Sequence, residues 1–250
     1  MNRISGTFVG ALASCALFAL PMDAVLCAHP VVAQSGPMAS SMLQEELASV
    51  KASTAENQRK LHQYTWAETS RITVNGDAKP PKESSCSYGP DGKVQKVPIG
   101  GAADATASSA GGGRLRQRIV AKKTAEMKDY MKEVGGVISL YMPPNPQRMQ
   151  EAFQNKKVSM GRAEGLSDLV FKDYALPGDS MTLGIDKATK KLRTVSVHSY
   201  LDTPQQPVTL LVEFSSLPDG TNYPLRTTLD VPAKQINVIN TNTNYRKFAQ

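Results

Sequence analysis

From Met181 to Val238 the chain alternates apolar and polar side chains, and no other feature limits its fold as tightly. Met181, Leu183 and Ile185 share a face before Asp186-Lys187-Ala188-Thr189-Lys190 turns the chain. Val195, Val197 and Leu201 follow, and then Val208, Leu210, Val212 and Phe214. After the turn Pro218-Asp219-Gly220 the spacing puts Tyr223, Leu225, Thr227, Leu229 and Val231 on one face, ahead of Ile236 and Val238. Successive side chains on a strand point to opposite faces, so period two demands a sheet with one wet and one covered face. Short turns between consecutive strands make it an antiparallel meander.

The first part of the chain reads as a helix followed by strands. Ser40 or Ser41 can cap a helix carrying Leu43, Leu47 and Val50 at three- and four-residue spacing, ending near Leu61. Tyr64, Trp66, Thr69, Ile72 and Val74 are strand formers, and Asn75-Gly76 is a tight hairpin signal because both residue types accept positive φ. Strands at Ser85 to Tyr88 and Lys93 to Ile99 flank the turn Gly89-Pro90-Asp91-Gly92.

Residues 100–113 hold only small side chains and read as a flexible tether. A helical insert at about 114–157 follows. Its first helix carries Val120, Met127, Met131, Val134 and Ile138 on one face, with Gly135-Gly136 interrupting it. Asn145 caps the second helix with Pro146 at its first position, presenting Met149, Ala152 and Phe153.

Arg3 followed by a mostly apolar run to Leu20, with Val31 and Ala33 ahead of Gln34, reads as a secretory signal peptide cleaved after Ala33. Leu12-Ala13-Ser14-Cys15 has the residue types of a lipoprotein box, but the apolar run continues past Cys15, so a soluble periplasmic chain is the preferred reading. The arrangement is then signal peptide 1–33, leader 34–40 and one domain over 41–250. Of three cysteines only Cys86 would remain, which excludes an internal disulfide; this thiol is then either buried or paired with another chain, and its short strand-like stretch before Gly89-Pro90-Asp91-Gly92 favours burial. The net charge of +7 survives cleavage and favours anionic contacts.

Helix, strands, helical insert and long meander resemble the bacterial lipoprotein-carrier superfamily (LolA/LolB-like). The particular echoes are Asp173-Tyr174-Ala175-Leu176-Pro177-Gly178-Asp179-Ser180-Met181-Thr182-Leu183, the strand Lys191 to Leu201, and Leu217-Pro218-Asp219-Gly220-Thr221. The resemblance implies an α+β fold in which a curved antiparallel sheet forms a half-open barrel, helices cover its concave face, and an acyl chain or similar amphiphile lies between. The long tether departs from the compact carriers.

Six of the ten methionines fall in or just after the insert, and thioethers on unbranched stems adapt to apolar ligands of variable shape. Methionine at helical spacing equally makes ordinary core. The expected ligand-binding set is Trp66, Met127, Met131, Met149, Phe153 and Met181. Arg114, Arg116, Arg118, Lys122 and Lys123 give the start of the insert a basic face that either meets an anionic membrane surface or is simply solvated. The other reading of the chain is a structural or regulatory envelope protein acting through protein contacts.

Catalytic and metal-binding patterns are sparse. Beyond residue 33 only His62 and His198 remain, without metal-ligand spacing, and neither a nucleophile elbow nor a phosphate loop is present. Six per cent aromatics, not interleaved with basic residues, argues against single-stranded nucleic acid as a partner. We expect neither enzyme activity nor a cofactor.

Overall fold

The alternation becomes a sheet that bends around its own apolar face. A computed structural model of the chain describes residues 37–100, 114–163 and 165–248. The expected cleavage point at Ala33, Cys15 and all of the tether beyond Gly100 lie outside the described residues. The elements are α1 (Pro37–Leu61), β1 (Tyr64–Val74), β2 (Asp77–Ala78), β3 (Lys82–Tyr88), β4 (Val94–Pro98), α2 (Arg114–Ile138), α3 (Pro146–Gln154), β5 (Val158–Ala163), β6 (Leu166–Lys172), β7 (Ser180–Asp186), β8 (Leu192–Tyr200), β9 (Pro207–Ser216), β10 (Asn222–Val231) and β11 (Ile236–Lys247). Among the described residues the strands form one eleven-stranded sheet in the order β4-β3-β1-β11-β10-β9-β8-β7-β6-β5, with β2 paired to β1. Each pairing is antiparallel, and the edges β4 and β5 do not meet, so the fold is an open half-barrel of the α+β class.

Two clusters fill most of the concave face. In the first, Leu47 and Val50 of α1 and Met149 and Ala152 of α3 meet Leu169, Phe171, Met181, Leu183, Val195, Val197, Leu210 and Val212 of β6 to β9. In the second, Val134 of α2 meets Val208, Val231 and Ile236, with Met127, Tyr130 and Met131 packed alongside. Burying an aliphatic side chain contributes about 1.5–3 kcal/mol, so these clusters dominate the stability of the fold. The opposite face is wet: Thr194, Ser196 and His198 of β8 point away from Val195 and Val197.

One buried carboxylate ties the insert to the sheet. Asp179 is 4% exposed and accepts hydrogen bonds from the amides of Tyr174, Ala175 and Leu176 at 2.6, 3.0 and 2.6 Å. The Tyr141 hydroxyl, at the corner between α2 and α3, donates to the same carboxylate and shares a hydrogen bond with Ser199 of β8. Tyr174 reaches back to that corner and accepts from the Asn145 amide at 2.8 Å. The stretch that carries the sequence resemblance is thus a polar anchor under the helices. Burial, and then the bond to Asp179, push the Tyr141 hydroxyl far above its ordinary range, so it stays a neutral donor.

Five details differ from the sequence expectations. α1 already includes Pro37, the first described residue, and so extends ahead of the expected serine cap. α2 runs through Gly135 and Gly136 to Ile138, because Val134 and Ile138 are held in the core on either side. Val120 is 58% exposed rather than on the buried face, since the first turns of α2 have no sheet beneath them. Leu225 is 37% exposed: the register between β9 and β10 shifts between Pro224 and Arg226, and the extra residue on β10 moves Leu225 out of the face it would share with Thr227 and Leu229. The alternation also starts earlier than expected, in the hairpin β5–β6, where Leu169 and Phe171 are buried and Met160 is exposed on the sheet edge.

Replacing Asp179 by Ala leaves three amides and a phenol without an acceptor and should cost about 3 kcal/mol or more, whereas Tyr141→Phe should cost about 2 kcal/mol. Urea unfolding of the three proteins checks this. Equal midpoints would remove the carboxylate from its anchoring role.

Candidate functional site

Where the helices stop, the concave face stays partly open. Leu61 at the end of α1, Trp66 and Glu68 of β1, Tyr88 of β3, Val94 and Lys96 of β4, Pro224 and Thr227 of β10, and Asn242 and Tyr245 of β11 line a recess of about 290 Å³. Pockets that enclose small ligands span about 300–1,000 Å³, so this one suits a small molecule or one segment of a chain.

Local backbone geometry builds the recess. Opposite β1, Thr65 pairs with Arg246 but Ala67 pairs with Thr243, so β11 carries one residue more than β1 across this step. Asn244 there adopts φ 56°, a left-handed conformation that asparagine accepts more readily than most residues. This bulge turns Tyr245 inward, where its ring stacks on Trp66 with centroids 5.4 Å apart and planes 11° apart. The β10 bulge at Leu225 brings Pro224 to the neighbouring wall. Bulges sharpen local twist and re-aim side chains, and here two of them flank one depression.

The walls are mainly aromatic. Tyr88 tilts against Trp66 at 5.4 Å and stacks on His62 at 4.5 Å, and Tyr223 supports Tyr245 from behind at 4.4 Å. Burial raises the Tyr245 and Tyr88 hydroxyls above their ordinary values, so both stay uncharged at neutral pH. The Glu68 carboxylate, 12% exposed, pairs with Lys96 at 2.6 Å, and the recess therefore presents a neutralised ion pair. Trp66 and Asn242 are each 6% exposed. Asn242 donates its amide NH to the Pro224 carbonyl at 2.9 Å, while its Oδ1 and the Trp66 Nε1 have no hydrogen-bond partner among the described residues.

A second polar cluster braces the same wall. The Tyr64 hydroxyl donates to Asp219 Oδ2 at 2.6 Å, the Thr221 amide donates to Oδ1 at 3.0 Å, and Lys247 lies 3.0 Å from Oδ2. The Tyr64 bond above all holds the Asp219 carboxyl well below the usual carboxylate range. Tyr64 in turn meets the edge of Tyr245 at 6.3 Å.

Of the residues expected to bind ligand, only Trp66 lines this recess. Met149 and Met181 are buried in the first core cluster with Phe153 against them, and Met127 and Met131 pack on the second. These methionines fill the space between sheet and helices. Tyr88, Asn242, Tyr245, Glu68 and Lys96 were not visible as site residues: bulges reset which residues of β10 and β11 face inward, and the pairing of β1 with both β11 and β3 brings Glu68, Tyr88 and Lys96 beside them. Arg118, Lys122 and Lys123 are exposed beside Ile119 and Val120, themselves 50% and 58% exposed. The side chains of Arg114 and Arg116 lie outside the described residues. His198 is exposed on the wet face between Ser180 and Thr209 of the flanking strands, and His62 rests on Tyr88. Among the described residues no cluster of His, Cys, Asp and Glu could hold a metal ion, and no helix is long and apolar enough to cross a membrane.

Two outcomes follow from this geometry. Asn244→Gly should keep the stack of Tyr245 on Trp66, whereas Asn244→Val should lose it, seen as a change in near-ultraviolet circular dichroism; identical spectra would remove the bulge as its cause. A carboxyl held below its ordinary pKa stabilises the fold fully above that ordinary value, and the contribution disappears as pH falls through the lowered one. Wild type should therefore be more stable than Asp219→Asn at pH 7, with the gap closing in strong acid. A gap that stays constant down to the lowest pH would contradict the Tyr64–Asp219–Lys247 account.

No family model and no curated protein matches the chain. Among solved structures it is similar to a DUF1329 family protein from Desulfovibrio piger ATCC 29098, with 9% identity and a TM-score of 0.38 over 82% of this chain and 92% of that one. It is also similar to a LolA superfamily protein from Nitrosomonas europaea, with 7% identity and a TM-score of 0.37 over 83% of this chain and 94% of that one. At these values the likeness is one of sheet-and-helix arrangement and transfers neither ligand nor activity.

Proposed function

We propose that this chain is a non-enzymatic binding or carrier protein of the periplasm, exported by a signal peptide cleaved after Ala33, and that it holds one small amphiphile in the recess at Trp66. The observation that carries this reading is the contrast across one concave face: Leu, Val and Met side chains fill the part beneath the helices, while an aromatic-walled depression of about 290 Å³ remains beyond them. Apolar walls with a few fixed polar groups are what a small-molecule site requires. The expected ligand position thereby moves from beneath the methionines to the sheet segment formed by β1, β3, β4, β10 and β11. The methionines contribute by filling the covered part.

The basic start of α2 supports a membrane partner. Ile119 and Val120 are exposed between Arg118 and the pair Lys122-Lys123. An apolar pair flanked by cations is suited to an anionic bilayer surface, where each cation contributes about 1 kcal/mol.

Trp66 is the sole tryptophan, so its emission reports on the recess directly. Titration with a medium-chain amphiphile should change that emission and saturate at one molecule per chain. Thr227→Phe, which fills the recess, should abolish the response in a folded protein. Unchanged wild-type emission combined with calorimetrically silent mixing would overturn the proposal. The membrane contact has its own test: co-sedimentation with phosphatidylglycerol vesicles should fall with added salt and be lost in Ile119→Asp/Val120→Asp, and equal sedimentation of wild type and variant would contradict it.

A further inference from the structure

Three polar atoms at or beside the recess have an unmet hydrogen-bonding need, and together they describe the missing group. Five buried side-chain atoms among the described residues have no partner: Trp66 Nε1, Tyr130 Oη, Thr221 Oγ1, Asn240 Oδ1 and Asn242 Oδ1. Trp66 and Asn242 line the recess, and Asn240 lies directly across from Thr227, which also lines it. Native interiors satisfy more than about nine in ten buried polar groups, so a group of orphans around one depression is itself a sign of a ligand.

Their chemistry is specific. An indole N–H only donates and an amide oxygen only accepts. Asn242 cannot reverse its amide without losing the bond its NH makes to the Pro224 carbonyl, so the oxygen is the atom left without a partner. The nearby charges are already matched, with Lys96 on Glu68 at 2.6 Å, and neither is free to receive an ion. A carboxylate would accept from Trp66 but oppose the carbonyl dipoles of Asn242 and Asn240. An ammonium would donate to those oxygens but leave the indole unpaired. A neutral group that both accepts and donates meets Trp66 Nε1 and Asn242 Oδ1 together, and a primary amide has a second N–H to offer Asn240 Oδ1.

Resting on the reading of the recess as a binding site, we infer that its ligand is an apolar molecule bearing a neutral primary or secondary amide or a hydroxyl, which accepts from Trp66 Nε1 and donates to Asn242 Oδ1. Sites built to hydrogen-bond a hydroxyl or N–H discriminate strongly against analogues that lack one, because their own buried groups are then left unpaired.

The test uses five probes of one chain length, measured by calorimetry on the full mature chain at neutral pH: a fatty amide, a fatty alcohol, the fatty acid as its carboxylate, an alkylammonium and a methyl ester. Amide and alcohol should bind at least about tenfold more tightly than the other three. Trp66→Phe and Asn242→Leu, checked for folding by circular dichroism, should each reduce that preference while leaving the weaker binding of the ester in place. Ester or carboxylate binding as tight as the amide would overturn the inference and leave the binding site standing, and the wild-type ranking alone decides this if either variant fails to fold. Binding of none of the five would overturn both.

Discussion

Everything in this molecule answers to one requirement: a curved sheet of this width has a concave apolar face that must be kept from water, and among the described residues three α-helices do it. Period-two sequence fixes which side chains share that face. α1, α2 and α3 close over β5 to β10, where Leu169, Met181, Leu183, Val195 and Val197 are almost wholly buried. Past β10 and the Ile236–Val238 end of β11 the cover ends, and the face changes from aliphatic to aromatic and polar, with Trp66, Tyr88, Tyr245, Asn240 and Asn242 in place of Leu and Val. The candidate site is the remainder of the covering problem.

Two kinds of polar device hold that arrangement. Asp179, buried and accepting from three amides and the Tyr141 hydroxyl, locks the corner of the helical insert onto the turn between β6 and β7. Leaving such donors unmet costs more than the bonds themselves contribute, so the anchor specifies one position for the insert as much as it stabilises it. Asn57 performs a similar task for α1: its side-chain amide accepts from the Asn222 N–H and donates to the Asn222 carbonyl, both at 2.6 Å, and so ties the last turns of the helix to the start of β10. Leu61 follows on the same helix and reaches the recess because that end is fixed.

The sequence displays what is periodic and conceals what breaks the period. The meander from β7 to β11, the Asn75-Gly76 hairpin, the Asn145 cap and the buried strand at Cys86 were all legible, since each rests on local geometry with a recognised residue signature. Trp66, the sole tryptophan, was legible on the first predicted strand, and the structure places it in the lining of the recess. The methionines were ambiguous: spacing shows that they face inward and not whether a neighbour fills the space. The part of the recess on β10 and β11 was hidden because it depends on the bulges at Leu225 and Asn244, each a single extra residue that resets which side chains point inward. Asn244, in a run of alternating Asn and Thr, was the one available trace of the second bulge.

The central claim is that the open part of the concave face at Trp66, and not the space beneath the methionines, holds the ligand. A crystal structure of the protein purified from its own cells without detergent tests it most directly. The account predicts continuous density in the recess, within hydrogen-bonding distance of Trp66 Nε1 and Asn242 Oδ1. Density lodged instead between Met149, Met181 and the sheet, with only water beside Trp66, would contradict it.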